Sequence, residues 1–225
     1  MINAPENNSF VAVGTNFTVP KISLPKSNST GPYNVSIWTG LGTNDGLLLI
    51  GGDGNIMRAG VNISVSALAN GSHATAYNAW YEWLPDHPAR ALPLKIAAGD
   101  IFTTTINTDT DKLNKTTGHI TIGQVSTNGT SHFSKSHLAP NTNSSSALLG
   151  SCVDLAVSGD NNLANFGTVK FEFTEIGAKN GWEGGEISNL FDDAEIFTWR
   201  NNGVQLTDTK VLNGTNSVEI KYVGK

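Results

Sequence analysis

Short stretches in which apolar and polar residues alternate recur along most of this chain. In TVKFEF, the apolar residues Val169, Phe171 and Phe173 would share one side of a strand, and the polar residues between them would share the other. SVEIKYV repeats the pattern with Val218 and Ile220. An apolar repeat of two residues is typical of half-buried strands in antiparallel sheets. The pattern therefore predicts an all-β protein.

Turn-prone segments separate the strand candidates. NVSIWTGL, NIMRAGVNISV and TAYNAWYEWL are bounded by segments such as LPDHPAR and STNGTS, in which Gly, Pro, Asn, Asp and Ser favour turns. No stretch carries a sustained apolar repeat of 3.6 residues, and EISNLFDDA is the candidate for a short helix. Many strands around one core predict a β-sandwich of two stacked antiparallel sheets. We expect residues 1–225 to form a single domain, as all-β chains of this length commonly do.

Composition narrows the possible partners. Charged residues make up 15% of the chain, against about 25% in typical soluble domains, and the net charge of −5 is spread thinly, without a basic stripe. This distribution argues against a nucleic-acid partner, and the lack of a run of about 18 apolar residues argues against a membrane span. We expect no metal, because the histidines lack ligand spacing, and no cofactor. The single Cys152 predicts a buried core residue, and we expect a monomer.

Asn-X-Ser/Thr sequons are dense in this sequence. They begin at Asn7, Asn16, Asn28, Asn34, Asn62, Asn70, Asn114, Asn128, Asn143 and Asn213. Some of these arise by chance in a chain so rich in Asn, Ser and Thr, but their density favours a secreted glycoprotein. The first ten residues lack the charged and apolar parts of a signal peptide, so a secreted protein would have lost its signal.

The segment AYNAWYEWLPDHP, residues 76–88, has aromatic residues on both sides of a predicted strand. Tyr77, Ala79, Tyr81 and Trp83 would lie on one side, and Asn78, Trp80, Glu82 and Leu84 on the other. A carboxylate flanked by tryptophans is costly unless it is paired or exposed in a groove. Glu82 therefore indicates a cleft with aromatic walls, of the kind that holds an extended polymer.

One arginine lies among the apolar and small residues of the strand candidate GNIMRAGVNIS. The guanidinium of this residue, Arg58, cannot lose its charge and must reach water or an acceptor-rich partner. The sequence therefore places Arg58 on a solvated face of the strand or on the floor of a polar cleft.

Several of these blocks resemble the glutamic peptidases, or eqolisins, which are secreted acid proteases of fungi and some prokaryotes. SIWTGLG, NIMRAGV, AYNAWYEWLPD, AAGDIF and LANFGTVKF occur in the family's order between about residues 34 and 175. The resemblance implies a concanavalin-like sandwich whose concave sheet holds the substrate, in agreement with the strand pattern. It also implies a catalytic pair of glutamine and glutamate, in which the carboxylate activates a water and the amide stabilises the oxyanion.

The resemblance carries over unevenly to the site residues. Arg58 stands where the family's block ILQAG has its glutamine, and Asp154 is the nearest counterpart of the family's glutamate. Asn78 replaces an acidic residue, while Trp38 and Glu82 are retained. Arginine is only a donor with a fixed charge, and beside a carboxylate it would depress the carboxylate's pKa and weaken it as a base. We therefore expect the peptidase mechanism to be lost.

Three hypotheses about function are open. In the first, a cleft holds an extended polymer, polypeptide or acidic polysaccharide, without cutting it. In the second, a lyase or hydrolase uses Arg58 against a uronate carboxylate. In the third, an acid endopeptidase survives with Arg58 as oxyanion donor and Asp154 or Glu82 as base. The expected substrate-binding residues are Trp38, Tyr77, Asn78, Trp80, Tyr81 and His132. In the lyase, the histidine or one of the two tyrosines would transfer the proton.

A structural role is the alternative for each of these residues. Arg58 would then pair with Glu82 or Asp154, and the tryptophans would be walls of the core or the groove. An ion pair that fills the groove floor would favour the non-catalytic hypothesis, whereas an unpaired Arg58 in an open groove would favour an anionic ligand.

Overall fold

The structure is a computed structural model of the chain. It describes residues 1–4, 6, 9–25, 32–42, 55–85, 87–110, 116–138, 150, 152–159, 163–178, 191, 194–212 and 215–224. The sequons at Asn7, Asn28, Asn114, Asn143 and Asn213 lie outside these residues, as does the helix predicted in EISNLFDDA apart from Phe191 and Ala194. Within them, no helix is long and apolar enough to cross a membrane.

A six-stranded antiparallel sheet forms one layer. Its strands are β1 (Ile2–Asn3), β3 (Tyr33–Gly42), β4 (Ile56–Ala67), β5 (His73–Leu84), β6 (His87–Ala91) and β10 (Cys152–Ser158). They lie in the order β1-β10-β3-β4-β5-β6, so the two longest strands, β4 and β5, are neighbours. The blocks that resemble the peptidase family, NIMRAGV and AYNAWYEWL, are therefore side by side.

A seven-stranded antiparallel sheet forms the second layer. Its strands are β2 (Phe10–Thr18), β7 (Ile101–Thr110), β8 (Thr116–Val125), β9 (Ser131–Leu138), β11 (Thr168–Ala178), β14 (Thr207–Leu212) and β15 (Ser217–Tyr222). Their order is β14-β15-β11-β2-β7-β8-β9, and the short pair β12 (Arg200–Asn201) and β13 (Val204–Gln205) stands apart. The two sheets confirm the prediction of an all-β sandwich.

The core lies between the two sheets and follows the period of two. On β4, the fully buried Met57 and Val61 point towards the seven-stranded sheet, where the Phe17 ring packs 5.4 Å from Phe102 and 5.5 Å from Phe171. The alternate residues of β4, from Arg58 onwards, point to the opposite side of the six-stranded sheet. We call this side, which faces away from the core, the site face.

Strand β11 corrects one prediction. Phe173 does not join Val169 and Phe171 in the core, because 75% of its surface is exposed. A β-bulge between Glu172 and Glu175 inserts a residue, and Phe173 takes a positive φ of 52° there. The insertion shifts the inward positions from odd to even numbers, and this reversal of faces cannot be read from the alternating pattern.

The described sequons fall in two kinds of environment. Asn70 and Asn128 lie in exposed turns, where their Oδ1 atoms accept backbone hydrogen bonds from Ser72 and Thr130, each at 3.0 Å. Three further sequons begin on strands, at Asn16, Asn34 and Asn62. Glycosylation at any of them stays a prediction.

Candidate functional site

The residues singled out in the sequence form a row across the site face. Asp154 of β10 lies opposite Gly40 of β3, Gly40 lies opposite Arg58 of β4, and Arg58 lies opposite Glu82 of β5. Side chains of residues that are directly opposite in antiparallel strands are close neighbours on the same face. We call these four residues the central row.

An aromatic row runs beside the central row. Trp38 and Trp80 lie on either side of Gly60, and Ala156 follows Trp38 on β10. Gly60 is required there, because a Cβ atom would lie 2.0 Å from the carbonyl oxygen of Ile37 and 2.7 Å from Cβ of Trp38. The glycine therefore leaves a gap between the two indoles.

Arg58 occupies this gap. Its guanidinium carbon is 5.1 Å from the Trp38 ring centroid and 5.6 Å from that of Trp80, and its Nε donates to Oε1 of Glu82. The Arg58 side chain is 23% exposed and the Glu82 side chain 7%. A guanidinium in this position gains from cation–π contacts and from a largely desolvated ion pair. The charge that the sequence left unexplained is thus matched by a neighbouring carboxylate.

Asp154, at the other end of the central row, is almost completely buried, at 3% exposure. Its Oδ2 has no hydrogen-bond partner in the structure. Burial raises the pKa of Asp154 from 3.8 to about 6, and the nearby Met1 amino group and Arg58 oppose this rise. Asp154 is therefore a neutral acid in mildly acidic solution, where most aspartates are ionised.

The ring of Trp38 separates the two ends of the row. A Cβ atom on Gly40 would lie 2.9 Å from Cζ3 of Trp38, so the benzene part of the indole covers Gly40, which lies between Asp154 and Arg58. The other end of the same ring is fixed, because Nε1 of Trp38 donates to Oγ of Ser158 at 3.1 Å.

A row of neutral polar side chains follows on the other side of the tryptophans. Ser158, Ser36, Asn62 and Asn78 lie opposite one another across four strands, and both asparagines are exposed. We call these four residues the polar row. Asparagine offers both donors and acceptors, so this row can bind neutral amide or hydroxyl groups.

The sequence matches the Peptidase A4 family over residues 1–222. The chain belongs to the peptidase A4 family. This membership confirms the resemblance to the glutamic peptidases, and it covers both sheets of the sandwich.

Two known proteins illustrate the likeness. Aspergillopepsin-2 of Aspergillus niger is 27% identical over 237 residues, which cover 95% of this chain and 73% of that protein. A crystal structure of scytalido-glutamic peptidase with a transition state analog inhibitor superimposes with a TM-score of 0.66 at 21% identity, covering 99% of this chain and 95% of the other. At this identity the superposition establishes the fold alone.

The structure does not bring three of the expected substrate-binding residues to the site face. Tyr77 and Tyr81 of this A4-family chain share the opposite face of β5 with the buried Ala79 and pack against the core. Burial also raises the pKa of Tyr77. His132 belongs to β9, at the edge of the other sheet. The remaining three, Trp38, Asn78 and Trp80, do lie on the site face.

Metal ligation has no candidate in the described part of the chain, where no three His, Cys, Asp or Glu residues are close enough to hold an ion. The catalytic candidates Arg58, Glu82 and Asp154 are instead spread along the central row, with Gly40 between Asp154 and Arg58.

Sequence reasoning missed the glycines of the site. Gly40 and Gly60 each lie two residues from a residue that shapes the site, in WTG and RAG. The alternation of a large and a small residue on one face of adjoining strands is the signal that could have found them, but it requires the register between β3 and β4.

Proposed function

We propose that this A4-family protein holds an extended polypeptide on the site face and does not hydrolyse it by the glutamine–glutamate mechanism of glutamic peptidases. The observation that carries the proposal is the set of contacts of Arg58, which pairs with Glu82 and is enclosed by Trp38 and Trp80. The resemblance to the glutamic peptidases aligns this residue with the family's glutamine. Each of these contacts opposes a part of the peptidase mechanism.

Arg58 cannot reproduce the chemistry of an amide. A glutamine side chain accepts through its carbonyl and donates through its NH₂ group, whereas a guanidinium only donates. The Nε donor of Arg58 is already engaged by Glu82. Arg58 thus offers no acceptor that could orient an attacking water, and its charge is balanced within the site.

Asp154 is a poor substitute for a catalytic glutamate. Its side chain is one methylene shorter, and a displacement of about 1 Å can reduce a rate by roughly 100-fold. It is buried beside the Trp38 ring, and with a pKa of about 6 it is protonated at acidic pH, where it cannot act as a base.

The site face nevertheless suits an extended chain. The exposed asparagines of the polar row provide hydrogen-bonding amides above the buried Trp38 and Trp80, and the polar row crosses four strands of the six-stranded sheet. Asn62 and Asn78 can bond to the carbonyl and NH groups of a peptide backbone. The related structure is a peptidase with a bound transition state analog inhibitor, which supports a polypeptide as the ligand.

Secretion is part of the proposal and rests on the sequons. Asn70 and Asn128 lie in exposed turns, where a glycan could be attached without displacing packed side chains. Treatment of the protein from its native source with an N-glycosidase, followed by mass spectrometry, would test this directly. A protein that carries no glycan at either turn would remove this support.

Surviving endopeptidase activity is a second candidate, favoured by the raised pKa of Asp154. A carboxylate with a pKa of about 6 is a stronger base than an ordinary aspartate once it is ionised. In this alternative Asp154 would activate a water near neutral pH, and Arg58 would stabilise the oxyanion.

The lyase alternative has less support. Tyr77, Tyr81 and His132 do not face Arg58, and Glu82 already balances the charge of Arg58.

The test measures cleavage and binding on the same preparations. Wild type, Arg58→Gln and the double variant Arg58→Gln/Asp154→Glu would be incubated with unfolded protein from acidic to neutral pH, and new amino termini would be counted. Binding would be followed by fluorescence anisotropy with a labelled, alkylated unfolded polypeptide. Arg90→Gln, which removes an exposed arginine of β6, is the matched control. Polygalacturonate, monitored by the ultraviolet absorbance of unsaturated ends, serves as the alternative substrate.

We expect wild type and Arg90→Gln to bind the polypeptide without cleaving it. Cleavage that appears in the double variant would identify the two replaced residues as the cause of inactivity. Cleavage by wild type near neutral pH would instead establish the endopeptidase. Unsaturated ends that disappear in Arg58→Gln would establish the lyase, and the absence of polypeptide binding by wild type would overturn the proposal.

A further inference from the structure

A cavity of about 250 Å³ lies at one open side of the sandwich, between the edges of the two sheets. Leu155 and Val157 of β10 line it on one side, and Val211, Val218 and Ile220 of β14 and β15 line it on the other. The cavity lies at the edge of β10, whereas the exposed asparagines of the site face, Asn62 and Asn78, lie on β4 and β5.

A short segment covers this cavity and is fastened at its two ends. We call residues 194–199 the strap. Glu195 exchanges backbone hydrogen bonds with Met1 at 2.8 and 2.9 Å, and Trp199 bonds to Leu206 and Thr207 at 2.7 and 2.8 Å. Between these ends, Ile196 and Phe197 are each 51% exposed although both line the cavity.

The size and lining of the cavity define what it can hold. Protein interiors pack as densely as organic crystals, so a void of this size is unusual. An apolar cavity of about 150 Å³ stays dry and binds benzene, so by proportion this one has room for about ten carbon atoms. A single alkyl chain meets these requirements, whereas a strand of several residues is too large.

One polar group in the cavity restricts the head group that such an alkyl chain can carry. Asp154 also lines the cavity, and its Oδ2 is buried without a hydrogen-bond partner. A buried acceptor without a donor is costly, so an occupant that donates a hydrogen bond at this end would be favoured. An ammonium or hydroxyl head group provides such a donor, and a carboxylate does not.

We propose that the cavity beneath the strap is a binding site for a small aliphatic amine or alcohol, whose alkyl chain fills the apolar part and whose head group donates to Asp154. The cavity lies away from the polar row of the site face, but it shares Asp154 with the central row. The half-exposed middle of the strap provides the entrance.

Calorimetric titration with octylamine, octan-1-ol and octanoate at neutral pH tests the proposal. Val211→Phe fills the cavity from the partly buried β14, and Val204→Phe, which adds the same ring at an exposed position of β13, is the matched control. Asp154→Asn tests the head-group contact. Thermal unfolding of each variant shows whether it is folded.

We expect wild type and Val204→Phe to bind one octylamine or octanol per chain, with octanoate weaker by roughly tenfold or more because it lacks a donor. Val211→Phe should have a melting temperature at least as high as that of wild type, and it should not bind any of the three probes. Asp154→Asn should narrow the difference between octylamine and octanoate. Absence of probe binding in wild type, or unchanged binding in a folded Val211→Phe, would overturn the site, and equal affinities for the three probes in wild type would overturn the role of Asp154.

Discussion

Replacement of Asp154 by asparagine should change how the stability of the protein depends on pH. In the folded protein, burial raises the pKa of this carboxyl group to about 6, from 3.8 for an ordinary aspartate. The folded chain therefore binds more protons than the unfolded chain between these two values, and the free energy of unfolding must fall as the pH rises through them. This direction is opposite to that of a salt-bridged aspartate.

The size of the effect follows from the two pKa values. One pKa unit corresponds to about 1.4 kcal/mol, so the rise from 3.8 to about 6 lowers the free energy of unfolding by about 3 kcal/mol. This destabilisation is fully present above about pH 6 and absent below pH 3.8. Asp154 is 3% exposed, so solvent screening does not reduce this value much. Asparagine has nearly the same shape and does not titrate, so Asp154→Asn should gain about 3 kcal/mol relative to wild type across this range.

Urea unfolding at a series of pH values, followed by tryptophan fluorescence, measures this difference. Any constant cost of the new amide group adds equally at every pH and does not affect the slope. Asp208→Asn, which removes a half-buried carboxylate of β14, is the matched control. If the wild-type and Asp154→Asn curves run parallel from pH 3.8 to above 6, the carboxyl group is not desolvated in the folded protein, and the arguments that use its protonation are wrong.

Four further substitutions, the last two compared with each other, test the packing of the site face. Gly60→Ala should destabilise the fold by about 3 kcal/mol or more in thermal unfolding, because the new Cβ would overlap the carbonyl oxygen of Ile37, and an unchanged melting temperature would contradict this. Trp38→Phe should cost about 2 kcal/mol or more in urea unfolding, because it removes a hydrogen bond and part of a fully buried ring, and a neutral effect would contradict the packing described for this indole. Glu82→Gln should cost more than Arg58→Gln, by about 1 kcal/mol, in the same assay; the reverse order would refute the account of the ion pair.

The face assignments on β5 were accessible from the sequence because a strand alternates strictly. Asn78, Trp80 and Glu82 share one face in the structure, as predicted. The pattern could not show which face meets the core, because each carries aromatic residues. Tyr77 and Tyr81 are expected from the sequence among the substrate-binding residues, yet they pack against the core. The position of the second sheet determines which face of β5 is buried. That position depends on contacts between residues far apart in the sequence.

Most contacts of Arg58 could not be predicted from local sequence patterns. They depend on the register that places Glu82 directly opposite Arg58, and on Gly60, which keeps two indoles apart. Each pairing involves a separate strand, so no local motif contains it. The sequence did show that Arg58 must reach water or a partner, because a permanent charge among apolar residues is otherwise costly.

The order expected for Glu82→Gln and Arg58→Gln follows from the permanent charge of arginine. A guanidinium keeps its charge whatever its surroundings, so loss of Glu82 leaves a cation between two indoles with no counterion. A carboxylate that loses its partner can bind a proton, and glutamine at position 58 would still offer it a donor. Glu82→Gln therefore removes the counterion of a permanent charge, whereas Arg58→Gln leaves Glu82 beside a neutral hydrogen-bond donor.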